Sequence, residues 1–346
     1  MREGILKEEK AIPAGVDKGF LLGFIQEQAG RTEESMRLDL EKSLSGSDQL
    51  LIEVLQHALF RGGKRLRPVL VILSSRLCGR DGDDLYLLAA AFEYLHTATL
   101  IHDDVLDHAE NRRGNESVVK KYGTAAAILA GDWLHARSMY LIGSLTTEEG
   151  LDVFCAATQA MVDGEFLQLR YAADPTVTEE QYRSVVLRKT AGLMSATCEI
   201  GALFGKGNQE QQRALALYGE KIGVAFQIID DLLDYLGDEQ VTGKVVGNDF
   251  IEGKMTLPLI HALAHAADKE RDELITALEA PERDNAGCSR ARQLMQAADS
   301  FAFSRHRAQQ EIEEGLAVLS CFDRSQHQEN LAVLEQLAGY ILQRDR

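Results

Sequence analysis

Proline is scarce in this chain, five in 346 residues, and there is a single tryptophan. Long stretches therefore pass without a residue that locks φ or removes a backbone donor, and helix formers fill them. No alternating β-branched runs dominate, so an all-α fold is expected. Cysteine is thin as well. Cys78, Cys155, Cys198, Cys288 and Cys321 are widely scattered, odd in number, and never form a C-x-x-C pair. That usage speaks against a disulfide framework and against a zinc site, and favours reduced thiols in or near a helical core. Positive charge is in deficit, 37 Lys and Arg against 54 Asp and Glu, for a net charge of −17. Such a balance argues against nucleic acid as the main partner. No apolar run approaches the length of a membrane span. The apolar segment 19–25 is short and lacks a following small-residue cleavage pattern, so no signal peptide is expected. A soluble, cytoplasmic protein is the expectation.

Residues 1–30 are polar and irregular, and read as an arm or a first short helix. Residues 31–346 read as one helical domain, since no linker rich in Pro, Gly or Ser divides them. Apolar positions recur at helical spacing over 33–60, with Leu51, Val54, Leu55, Ala58 and Leu59 the clearest set. Gly62-Gly63 ends that pattern and Pro68 is placed to open the next helix. Further helices are expected over 85–107, 123–145, 151–171, 179–203 and 209–237, with Thr178 and Gln181 as a capping box for the fourth of these. Residues 238–253, with several glycines, read as a functional loop, and helices resume from 256.

Two acid clusters carry most of the chemical information: Asp103-Asp104-Val-Leu-Asp107 and Asp230-Asp231-Leu-Leu-Asp234. On a helix the first and last aspartates of each stand one turn apart on one face. Carboxylates crowded this way repel and raise one another's pKa, and a hard divalent cation removes the penalty. Oxygen-only ligands favour Mg²⁺, which bridges readily to phosphates, so two such clusters suggest a cage for a diphosphate. A single D-D-x-x-D is often only a solvated helix face. Here the neighbours are apolar, Arg112-Arg113 follows the first copy, and a second copy exists.

An acidic protein that binds an anion must concentrate its cations, and Gly62-Gly63-Lys64-Arg65-Leu66-Arg67-Pro68 is the densest basic spot. Glycines allow close approach of backbone N–H groups and Lys or Arg supply charge-assisted hydrogen bonds. The spacing is not that of a Walker P-loop. Lys189-Thr190, Phe226-Gln227, Gly243-Lys244, Asp249 and Gly253-Lys254 gain meaning from their order around the acids. His102, beside Asp103, is expected to be structural, because a carboxylate Mg²⁺ site has no use for imidazole.

In this order the motifs resemble those of the trans-isoprenyl diphosphate synthases. They are Gly-Gly-Lys64-Arg-x-Arg67-Pro, Glu93-x-x-His96, Asp103-Asp104-x-x-Asp107 with Arg112-Arg113-Gly, Gly164-Glu165, Lys189-Thr190, Phe226-Gln227-x-x-Asp230-Asp231-x-x-Asp234, Gly-Lys244-x-x-Gly-x-Asp249 and Glu-Gly-Lys254-x-Thr-Leu-Pro. The resemblance covers roughly residues 50–265. It implies a bundle of antiparallel helices around a deep central cavity, with both acid clusters at its mouth, and a homodimer. It also implies an Mg²⁺-dependent prenyltransferase that joins isopentenyl diphosphate to an allylic diphosphate such as farnesyl diphosphate. By carry-over, Asp103, Asp104, Asp107, Asp230, Asp231 and Asp234 hold the metal on the allylic diphosphate, assisted by Arg112, Lys189, Lys244 and Lys254. Lys64, Arg67, His96 and Arg113 grip isopentenyl diphosphate. Thr190 and Gln227 offer oxygens to a carbocation, and the departing diphosphate takes the final proton.

Product length follows from what blocks the growing chain. Ala98 and Thr99, one turn before Asp103, are small and leave a path open. Leu95 is the next sizeable residue on that helix. Phe154, 14 residues before Gln168 and so about 21 Å away along a helix, is the expected deeper floor. A long-chain all-trans product around octaprenyl is expected. A geranylgeranyl diphosphate synthase and a non-catalytic partner subunit are the alternatives. A terpene cyclase would have no reason for the Lys64, Arg67 and His96 site.

Overall fold

The computed structural model describes residues 17–237 and 247–344. Its first helix, α1 (Lys18–Ser43), starts from Asp17, whose side chain accepts from the Phe20 amide. α1 runs unbroken across residue 30, where the sequence placed the end of an arm. Leu21, Phe24, Ile25, Gln28, Thr32, Met36 and Leu40 explain this: they recur at three- and four-residue intervals and are buried on one stripe. The helical body therefore reaches back at least to Lys18. The expected 33–60 helix is in fact two, since α1 ends at Ser43 and α2 (Gln49–Leu59) restarts on an Asp48 cap.

α3 (Leu66–Leu77) and α4 (Asp83–Leu106) follow, then a two-residue antiparallel hairpin, β1 (Asn111–Arg112) and β2 (Asn115–Glu116). Its corner is Arg113-Gly114, both at positive φ, as a two-residue hairpin turn demands. α5 (Val118–Tyr122), α6 (Thr124–Leu145) and α7 (Glu148–Tyr171) come next. α8 (Glu179–Val186) carries the expected Thr178/Gln181 capping box. It passes through a single π-helical turn, Leu187–Ala191, into α9 (Gly192–Phe204). α10 (Gln209–Leu236) is the longest helix among the described residues, opened by an Asn208/Gln211 capping box. The remainder is α11 (Asn248–Glu252), α12 (Leu257–His265), α13 (Asp268–Leu278), α14 (Asn285–Ala297), α15 (Ser300–Ala317), a 3₁₀ turn (Val318–Cys321) and α16 (Arg324–Leu342).

Two apolar clusters fill the interior. One gathers around α4 with α2, α6 and α7, the other around α10 with α12, α14, α15 and α16. α3 and α9 serve both: Val71, Ile72, Leu193, Ala196 and Ile200 face the first, and Val69, Leu70, Leu73, Met194 and Cys198 the second. Helices apolar all round belong in the middle of a bundle, and these two lie there. They cross closely because Gly201 has no side chain; a Cβ there would stand 2.7 Å from the Val71 carbonyl oxygen. This is an all-α single domain. No helix among the described residues is long and apolar enough to cross a membrane.

Candidate active site

α4 and α10 each end in one of the acid clusters, so both triads lie at helix C-termini. On α4 the three aspartates divide. Asp104 is buried and receives both Nε (2.7 Å) and Nη2 (2.5 Å) of Arg112 from the hairpin. Asp103 is half-buried and Asp107 exposed, so these two form the open face. The sequence treated all three as equal metal ligands. In the structure Asp104 is held by Arg112: on the helix it stands about 100° round from Asp103 and about 60° from Asp107. Burial pushes the Asp103 carboxyl up to about 6, with Lys189 opposing and Glu165 and Asp107 adding to the rise.

On α10, Asp231 is buried and accepts from the Tyr182 hydroxyl (2.6 Å) and the Gln227 amide (2.9 Å). Its carboxyl is raised by burial and then by the neighbouring Asp249 and Asp230. Asp234 accepts from the Asp249 backbone N–H at 3.1 Å and is raised by burial and by the Asp249 charge. Asp249 is thus a fourth acid of this cluster. It stands in the sequence motif, but only the fold shows that its carboxylate faces Asp231 and Asp234. Lys254, expected to be a substrate ligand, is paired with Asp249 (3.2 Å) and Glu252 (2.5 Å). Lys244 lies outside the described residues.

What joins the two clusters is the π-helical turn. Lys189 donates to Glu165 (2.9 Å) and Gln168 (3.3 Å) of α7 and is among the charges felt by Asp103. The next residue, Thr190, donates to the Gln227 amide oxygen (3.0 Å), and Gln227 in turn donates to Asp231. The extra residue of a π turn re-aims side chains, and such turns recur at functional sites. α7 can lie this close because Gly164 lacks a Cβ, which would stand 2.7 Å from the Lys189 nitrogen.

A cationic pocket adjoins the first cluster. Arg65 is fully buried and ion-paired to Glu93 and Glu33, with a further bond to the Leu59 carbonyl. It pins the loop in place. Arg67 leaves its Nε buried without a partner among the described residues. Arg113 donates to the Gly62 carbonyl. His96 is held neutral: burial, then Arg67, Arg113, Arg65 and Arg112, push its pKa well below the ordinary value. Arg65 and Arg113 both adopt positive φ, at 48° and 52°. Strained non-glycine backbone of this kind gathers at binding sites. Lys64 is exposed and donates to the Tyr340 hydroxyl at 2.6 Å.

No sequence motif pointed to α16 at this site. Beyond its end, Arg344 lies 3.6 Å from Asp230 and over the Phe226 ring at 4.5 Å, with Nε and Nη1 buried and unpartnered among the described residues. Tyr182 was likewise missed, as a lone residue outside any motif, and Arg65, though part of the basic motif, had no role assigned to it.

The donor set fits a hard divalent cation. It is all carboxylate, and burial together with neighbouring charges raises the pKa of Asp103, Asp231, Asp234 and Asp249. Among the described residues no three acids already stand as a metal's ligand group. Five of them are instead held locally: Asp104 by Arg112, Asp231 by Tyr182 and Gln227, Asp234 by the Asp249 N–H, Asp249 by Lys254, and Asp230 by Arg344.

The residues expected to set product length lie farther back along α4 and on α7. Ala98 and Leu95 are buried, and Thr99, half-buried, spends its hydroxyl on the His96 carbonyl at 2.8 Å. Phe154 is fully buried on α7 and meets Phe92 of α4 edge-on, with ring centroids 5.9 Å apart.

Comparison with known proteins points the same way. The family model described as Polyprenyl synthetase matches residues 48–295. An octaprenyl diphosphate synthase of Escherichia coli K12 is 36% identical over 305 residues, covering 88% of this chain and 93% of that one. A polyprenyl synthase of Caulobacter crescentus, crystallised with calcium and isoprenyl diphosphate, superposes with a TM-score of 0.85 at 32% identity, covering 95% and 98% of the two chains. A decaprenyl diphosphate synthase of Rhodobacter capsulatus superposes with a TM-score of 0.84 at 34% identity, covering 94% and 98%.

Proposed function

The chain belongs to the polyprenyl synthetase family, and we propose that it joins isopentenyl diphosphate to an allylic diphosphate to build a long all-trans polyprenyl diphosphate, around octaprenyl. It is a trans-prenyltransferase. The observation that carries the reading is the Lys189-Thr190 turn. Through it Asp103, which feels the Lys189 charge, is linked to Gln227 and Asp231 of the second cluster. Beside the first cluster stand more cations than buried Glu93 can balance.

Family members are typically divalent-metal dependent, and the all-oxygen donor set favours Mg²⁺ here. Asp103, Asp107, Asp230, Asp231 and Asp234, with Asp249 beside them, would hold it. The metal would neutralise charge that develops on a departing diphosphate. Asp104 serves by fixing Arg112 at the rim. Lys189 stands where it can leave Glu165 for an incoming phosphate oxygen, while Lys254 holds Asp249 in place. Arg67, with its unpartnered N–H, and Arg113 bind the diphosphate of the homoallylic substrate, and Lys64 reaches it on leaving Tyr340. Neutral His96 donates a hydrogen bond there. The Thr190 lone pairs face the site where an allylic cation forms, while the Gln227 oxygen is already partly engaged by Thr190. Ala98 and Thr99 leave the path below open, and Phe154, backed by Phe92, closes it.

A homodimer in the cytoplasm completes the proposal. The deciding experiment incubates the purified protein with Mg²⁺, labelled isopentenyl diphosphate and farnesyl diphosphate, and sizes the products. An octaprenyl ladder is expected. Arrest at geranylgeranyl diphosphate would reassign the product, and no pyrophosphate release would leave a partner subunit.

A further inference from the structure

The C-terminal part of the bundle holds a pair of side chains that prenyl transfer does not use. His261 and His265 stand on α12 at i and i+4, and so on one face. Their rings are stacked, with centroids 4.2 Å apart and planes 17° apart. On its other side His261 stacks on Phe303 of α15, at 4.1 Å and 23°. Each imidazole has one nitrogen anchored. His265 Nδ1 lies 3.0 Å from the His261 carbonyl oxygen. A carbonyl only accepts, so this Nδ1 carries the ring proton and Nε2 keeps its lone pair. His261 Nδ1 lies 3.0 Å from the hydroxyl of buried Ser300, which is able to accept. Neither Nε2 has a hydrogen-bond partner among the described residues.

We propose that His261 and His265 form a two-nitrogen chelate for a borderline transition cation such as Zn²⁺, a site that shares no residue with the acid clusters. Histidines at i and i+4 are the spacing by which one helix face grips such an ion. Ligating histidines donate their second ring N–H to a carbonyl or similar acceptor, and for His261 the Ser300 hydroxyl is already in place. Imidazole selects Zn²⁺ or Ni²⁺, whereas the carboxylate clusters select harder cations, so the two sites are chemically distinct. Burial, then His265, lower the His261 pKa and keep its ring neutral, while Asp299 and Glu179 add a negative field that favours a cation. Two protein donors leave the remaining positions to water. Stacked rings hold their lone pairs parallel, so binding would require the exposed His265 ring to turn out of the stack and give up its bond to the His261 carbonyl. Through Ser300 and Phe303 the bound ion would clasp α12 to the first turn of α15.

The test is calorimetric titration of the full chain with Zn²⁺ in saturating Mg²⁺, which keeps the acid clusters occupied. One saturable site per chain is expected, together with a zinc-dependent rise in Tm. His265→Ala and His261→Ala should abolish both, with His265→Gln as the isosteric check on folding. Ser300→Ala should weaken the site roughly tenfold, and His102→Ala, beside Asp103, should leave it intact. Prenyl transfer by His265→Ala should match the parent. A flat titration, or an unchanged isotherm in His265→Ala and His265→Gln, would overturn the assignment.

Discussion

His96 is a histidine that its surroundings forbid to charge. Burial and four guanidinium groups hold it neutral, which makes it a reporter for whatever anion those groups await. A bound diphosphate offsets the guanidinium field, so the His96 pKa is expected to rise on adding isopentenyl diphosphate or inorganic pyrophosphate. Imidazole proton shifts followed against pH would show it, and an unmoved His96 would remove the pocket from substrate binding. Arg67, with a buried N–H left over, should act in the ground state and the transition state alike. Losing a charged hydrogen bond worth about 1.5–3 kcal/mol, Arg67→Ala should raise KM for isopentenyl diphosphate on the order of 10- to 100-fold and change kcat less. The aspartates should also separate. Asp103→Asn is expected to weaken metal binding strongly. Asp104→Asn should act mainly by loosening Arg112 and the hairpin, because its carboxylate is already claimed. Steady-state kinetics at varied Mg²⁺ would distinguish the two.

At the scale of elements, the π turn and the glycine facing it set the distance between α7 and the clusters. Gly164→Ala puts a methyl against the Lys189 backbone. Overpacking of that kind costs about 1–3 kcal/mol, and its relief must part Glu165 from Lys189. A loss of kcat of roughly tenfold or more with helical circular dichroism retained is the expected outcome. Farther down, Ala98→Phe should shorten the product and Phe154→Ala lengthen it, read by sizing the prenyl alcohols; unchanged products from both would discard Phe154 as the floor. Much of this architecture was legible in sequence. Helical periodicity, the two D-D-x-x-D repeats and the Thr178/Gln181 box report local physics, and local physics survives folding. What was not legible depends on tertiary contact. The break between α1 and α2 is the exception: it is local, set by Gly46 at φ 83° and the cap at Asp48, and is masked by the apolar spacing on either side. The π turn looks like ordinary helix until α7 and α10 pack against it. The division of Asp104 from its neighbours needs Arg112 brought back by the hairpin, and Arg344 reaches Asp230 only because α16 ends there.

For the molecule as a whole, the buried acids set how stability depends on pH. Folding raises the pKa of Asp103 to about 6, and raises Asp231, Asp234 and Asp249 as well. The folded, metal-free protein therefore binds more protons than the unfolded chain. The stability these groups contribute is complete below the ordinary carboxylate range and is lost as pH climbs through about 6 and beyond. In a chelator, Tm should fall over that rise. Mg²⁺ with a diphosphate should flatten it, since a cation binds the deprotonated acids and releases their protons. Parallel curves with and without metal would mean the acids are not its ligands. The same scale decides assembly. α6 and α7, antiparallel neighbours across a short turn, leave Leu129, Tyr140, Phe166 and Leu169 each more than 60% exposed. On α7, Val162, Phe166 and Leu169 form one apolar stripe at helical spacing, while Phe154, Glu165 and Gln168 serve the interior of the same helix. An unpaired stripe of this kind marks an interaction surface, and a second copy of the chain would cover it while bracing the helix that carries the floor and Glu165. Leu129→Asp with Phe166→Asp is thus expected to turn a sedimenting dimer into a monomer, and to lower activity with it. A parent chain that sediments as a monomer would show that the stripe is not the dimer seam.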